Sequence, residues 1–145
     1  MLLRFCFAGL LLATSAALAQ QPAPAGMSLA EAASRRFPQP VRVGALLHRQ
    51  VLQPAESQPT LGWVRAVVRQ GDGSLAVVVA YGGVRGVFAH PIAVPVEAMT
   101  LLGQYMEIVD FTPAQLNGFK TFDPAGSQPL APDDVIRVGL ARPSH

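Results

Sequence analysis

Residues Gly62 to Pro95 (GWVRAVVRQGDGSLAVVVAYGGVRGVFAHPIAVP) constrain the fold more than any other stretch of the chain. Two apolar runs are joined by a glycine-rich turn; a second glycine-rich loop leads to a third apolar run that stops at Pro95. Trp63 to Arg69 alternates, with Val64, Ala66 and Val68 on one side and Trp63, Arg65, Val67 and Arg69 on the other. That is the two-residue period of a strand, and the first set suits the interior. Gly71-Asp72-Gly73 supplies the positive φ of a tight hairpin. Leu75 to Tyr81 (LAVVVAY) is apolar on both faces, which predicts a central strand covered on both sides. Gly82 to Gly86 forms the second loop, and Pro91 to Val94 the next strand. A meander of this kind predicts a mainly β domain, with the rest of the chain completing a small barrel around it.

The chain has room for such a core. It has 145 residues, is half apolar and only 14% charged, and its 13 glycines and 13 prolines favour turns and short strands over long helices. Residues 1–19 have the three parts of a secretory signal peptide. Arg4 is the charged start, Phe5 to Ala13 the apolar run, and Ala17-Leu18-Ala19 a small-x-small cleavage site, so Gln20 is expected to begin the mature chain. The run is short for a membrane span, which needs about 20 residues. An uncleaved N-terminal anchor is the alternative. Cys6 is the only cysteine and leaves with the signal, so a mature periplasmic protein would have neither a disulfide nor a thiolate ligand. Removing Arg4 lowers the formal charge from +2 to 2 − 1 = +1. Nucleic-acid binders normally carry a strong, clustered basic excess, so none is expected as a partner. No stable membrane insertion is expected after cleavage.

Gln20 to Gly26 (QQPAPAG) reads as a flexible leader. Ser28-Leu29-Ala30-Glu31 has capping-box spacing and predicts a short helix Leu29–Phe37, stopped by Pro38. Val41 to Leu52 predicts one strand or two short pieces, and residues 53–60 a loop. Downstream, Tyr105 to Phe111 is strongly apolar. Thr112-Pro113 then starts a short helical turn, where the missing N–H of proline costs little. Leu116, Phe119 and Phe122 are expected to cap one barrel opening. Val135 to Val138 has the pattern of a short extra strand.

Several of these features occur together in a known family. They are the Gly62-x-Val64 strand start, the Gly71-Asp72-Gly73 turn, the apolar strand into Gly82-Gly83 and the Ile92-Ala93-Val94-Pro95 strand end. To these add the Tyr105–Phe111 strand running into Thr112-x-x-Gln115-Leu116 and then Phe119 and Phe122. Residues 41–122 resemble the PRC-barrel family, the β-barrel module shared by the cytoplasmic domain of the photosynthetic reaction-centre H subunit and a ribosome-maturation factor. The resemblance implies a small PRC-type β-barrel, here with a short N-terminal helix and a short helical turn near the C-terminal end. The chain then divides into a signal peptide (1–19), a flexible leader with a short helix (20–40), the barrel-like domain (41–122) and a C-terminal extension (123–145). Ala66, Arg69 and His90 depart from the charges family members often carry at those positions.

No catalytic pattern stands out. The Gly82–Gly86 loop lacks a phosphate-loop ending, there is no G-x-S-x-G elbow, and the three histidines have no metal-binding spacing. No cofactor or metal is expected. Trp63, Arg65 and Arg69 on one strand face, with Arg85 in the next loop, form the one candidate binding surface, because Trp and Arg are favoured at interface hot spots. The expectation is an exported, non-catalytic docking module for a protein partner or envelope component. The alternative is an enzyme with a small loop-built site using His90, Glu97 or Asp110.

Overall fold

A computed structural model describes residues 28–53, 59–83 and 87–141 of the chain. The expected signal peptide and QQPAPAG leader, residues 54–58 of the expected loop, Arg85 and residues 142–145 lie outside the described residues.

The described chain is mainly β, as the alternation and the turn-rich composition imply. Its elements are α1 (Leu29–Ser34), β1 (Gln39–Arg42), β2 (Gln50–Leu52), β3 (Thr60–Arg69), β4 (Leu75–Tyr81), β5 (His90–Pro95), β6 (Met99–Leu102), β7 (Tyr105–Ile108), α2 (Pro113–Asn117), β8 (Gln128–Pro129) and β9 (Val135–Leu140). Single 3-10 turns, Val43–Ala45 and Val96–Ala98, bridge β1 to β2 and β5 to β6. The strands form one mixed sheet in the order β1-β9-β6-β7-β2-β3-β4-β5, with β8 added to β3. The β2–β7 and β6–β9 pairs are parallel and the others antiparallel. The path ends at β1 and β5, which do not pair, so the sheet is open among the described residues.

Both end strands nevertheless pack on one apolar core. Val41 of β1 lies against it, and Ile92 and Val94 of β5 are buried in it with Val77 and Val79 of β4, Met106 and Ile108 of β7, and Ile136 and Val138 of β9. A smaller cluster of Val68, Ala76 and Val78 lies on the other face of β3 and β4, covered by Ala93 and Phe122. Strand β4 is therefore buried on both sides, as its uninterrupted apolar sequence predicts. The hairpin turn before it is closed by Gln70 N–H to the Ser74 carbonyl at 2.8 Å, with Gly73 at φ 86°.

Strand β3 departs from strict alternation. Its pairing with β4 steps from Val64↔Val79 to Ala66↔Val78, leaving Arg65 as an extra, bulged residue. The bulge resets the pleat. Val64 and Val67 both enter the main core, whereas Ala66 and Val68 face the smaller cluster. Val64, Ala66 and Val68 thus do not share a face.

Local helix signals are reproduced. Ser28 and Glu31 form the capping box of α1, and Thr112 and Gln115 that of α2, with Pro113 in its first turn. Helix α1 is shorter than its sequence suggests. It ends at Ser34 because Phe37, the residue before Pro38, takes φ 51°, outside the helical region, and stays 64% exposed. Strand β7 also stops early, at Ile108, where Asp110 turns toward Arg36 and Thr112 begins the cap of α2. Leu116 and Phe119 join the main core, but Phe122 crosses to the other face, held by its N–H to the Pro91 carbonyl at 2.7 Å.

Candidate functional site

The bulge in β3 separates the side chains that the sequence grouped. Trp63 is half-buried near the start of the strand, opposite Ala80 of β4 and Gln50 of β2. Arg65 is exposed at the bulge, and Arg69 is exposed at the far end, its guanidinium donating to the Gly73 carbonyl at 3.4 Å. Six residues of strand span about 20 Å. Since Val64 and Val67 both point inward, the pleat also puts Trp63 and Arg69 on opposite sides. Arg85 lies outside the described residues.

Trp63 instead belongs to one end of the sheet. Gly62 pairs with Tyr81, and Tyr81 with His90, so the start of β3, the end of β4 and the start of β5 lie side by side. Tyr81 is buried; its hydroxyl donates to Asn117 Oδ1 at 2.7 Å, and its ring meets His90 edge-on at 5.6 Å. The described part of the β4–β5 connection at this end carries Val87, 56% exposed, and Phe88, 92% exposed at φ 63°. A bulky residue at positive φ is a real outlier. Gly83 shapes the loop: at φ 77° it lies so close to Val87 and Ala89 that a Cβ would run into their backbones. Neither Phe88 nor Val87 was singled out from the sequence, since an apolar pair between two strands reads as strand.

His90, Glu97 and Asp110 do not converge. His90 starts β5 and Glu97 lies beyond its end, about 20 Å away along the strand. Asp110 is taken up by Arg36, whose two terminal nitrogens donate to its two oxygens at 2.8 and 2.7 Å. Arg36 also donates to the Glu97 carbonyl at 3.1 Å. Among the described residues no three metal-capable side chains cluster, and no helix is long and apolar enough to cross a membrane.

A second site, invisible to the sequence reading, lies between α1 and the outer face of β9, β6 and β7. It is a cleft of about 470 Å³ lined by Arg35 and Arg36, by Thr100 and Glu107, and by Ala32, Val109, Leu140 and Ala141. Thr100 and Glu107 stand opposite each other on its floor, and Gly139 of β9 pairs with Thr100 on the other side. Met106 and Ile108 face the core, so Glu107 between them faces out. Gly139 lets Arg36 lie flat on β9. A Cβ there would come within 2.8 Å of the Arg36 Cβ, while Leu140 N–H donates to the Arg36 carbonyl at 2.7 Å. Thr100 is 1% exposed and its hydroxyl has no hydrogen-bond partner among the described residues. Burial raises the Glu107 carboxyl above its usual 4.5. The signal in the sequence was a threonine and a glutamate at outward positions of two apolar strands. It could not be read without knowing that β9 inserts beside them.

No protein-family model and no curated protein matches this chain.

Proposed function

We propose that this chain is an exported, non-catalytic docking module of the PRC-barrel type, and that it holds a protein partner at the sheet end carrying the β4–β5 loop. The observation that carries the reading is Phe88. Leaving a phenylalanine in water forgoes about 1.5–3 kcal/mol of burial, and holding it at positive φ costs about 1–3 kcal/mol more. An exposed aromatic residue next to Val87, at the sheet end that also carries the half-buried Trp63, has the make-up of an interface anchor. The open sheet with both end strands packed on one core is compatible with a barrel-like module whose seam lies between β1 and β5. The signal-like residues 1–19 support the periplasm as its location.

The test is a Phe88→Asp variant expressed with its own N-terminal segment. The expected result is export and a melting temperature equal to wild type, with loss of a discrete protein that co-purifies with wild type from the envelope fraction. A variant that retains that protein undiminished, or a wild-type chain confined to the cytosol, would overturn the proposal.

A further inference from the structure

The cleft beneath α1 holds chemistry that docking at the opposite elements does not use. A buried hydroxyl without a partner is destabilising, and the Thr100 hydroxyl on the cleft floor has none among the described residues. Glu107 stands beside it, and Arg35, just past the end of α1, lines the cleft as well. Neither Glu107 nor Arg35 has an ion-pair or side-chain hydrogen-bond partner among the described residues, whereas Arg36 is neutralised by Asp110. The cleft therefore presents one unmatched cation and one unmatched anion, with a hydroxyl next to the anion. A phosphate or other anion would meet Glu107, and a polyamine or metal ion would meet Arg35. A molecule carrying both an ammonium and a carboxylate satisfies both groups, and Ala32 and Val109 offer an apolar wall to its side chain. A volume of about 470 Å³ is in the range of small-molecule sites.

We propose that the cleft between α1 and the β9–β6–β7 face binds a small zwitterion with an apolar side chain, a free amino acid or a dipeptide. Arg35 takes the carboxylate, Glu107 takes the ammonium, and the Thr100 hydroxyl gains the hydrogen bond it lacks. The site shares no residue with the β4–β5 loop end, so it stands or falls separately from the docking proposal.

Isothermal titration calorimetry on the purified protein tests this with L-leucine, leucyl-leucine, N-acetyl-leucine and leucinamide. Saturable binding of leucine, of leucyl-leucine, or of both is expected, and says which size fits. The two singly blocked compounds should bind about tenfold or more weakly, because each loses one charged hydrogen-bonded contact. Glu107→Gln and Arg35→Ala should show the same loss while melting as wild type or higher. Thr100→Val, which removes the orphan hydroxyl without changing shape, should raise the melting temperature of the free protein and weaken binding. The proposal is overturned if neither zwitterion binds up to about 10 mM, or if the blocked compounds bind as well as leucine.

Discussion

Glu107, partly buried, and Thr100, buried, face each other across β6 and β7, and neither side chain has a hydrogen-bond partner among the described residues. For Glu107 the consequence is a definite pH dependence. Burial raises its carboxyl above the usual 4.5, so between 4.5 and that raised value the folded protein holds more of this proton than the unfolded chain. Stability therefore falls as pH rises through that window. The penalty is absent below 4.5 and fully present above the raised pKa. Glu107→Gln removes it, and the variant should be more stable than wild type at about pH 7 but equal to it at about pH 4 in urea unfolding. An equal difference at both pH values would mean that the carboxyl charge is not the cause. Residues such as these were not legible in the sequence. Thr100 and Glu107 owe their character to α1 lying over them and to Gly139 giving Arg36 room, and neither is a local property of MTLL or YMEI.

At the scale of elements, what could be read was what is decided within a few residues. The Ser28–Glu31 and Thr112–Gln115 capping boxes close over three residues; the first was legible from its spacing, and Thr112-Pro113 marked the start of the second helix. The apolar run Leu75–Tyr81 needs two covers, and β4 has two. Strand β3 shows the limit. Val64-Arg65-Ala66-Val67-Val68 fits two registers about equally well, since apolar residues occupy both parities; pairing with β4 selects the bulged one. Because Arg65 is the extra residue, deleting it should restore a regular ladder without moving any apolar side chain to the wrong face. Deleting Val67 should shift the remainder of the strand by one and turn its side chains over. Deletion of Arg65 should thus cost about 1–2 kcal/mol and leave a cooperative unfolding transition. The Val67 deletion should abolish it. Two deletions with the same effect would contradict the assigned register.

Taken whole, the molecule carries residues beyond 122 in the same sheet as the strands of 41–122. Strand β9 lies between β1 and β6, and Ile136 and Val138 are buried in the main core. Val135–Val138 was readable as a strand; its neighbours were not, because a parallel pairing with β6 leaves no turn signal between them. Truncation after Phe122 removes about 3–6 kcal/mol of buried side chains and leaves β1 with no partner strand. Against a typical total of about 5–15 kcal/mol, the shortened chain should be unfolded by circular dichroism; a native-like, cooperatively melting fragment would show that 41–122 stands alone. Phe88 is exposed at another place, where β4 ends and β5 begins. That end is the proposed contact surface, and the most direct measurement is site-specific photo-crosslinking in living cells. One probe replaces Phe88, and a control replaces Asp72 in the hairpin turn at the other end of β4. The expected result is a discrete adduct with another protein from position 88 and none from position 72. No adduct at 88, or the same adduct from both positions, would contradict docking through this loop.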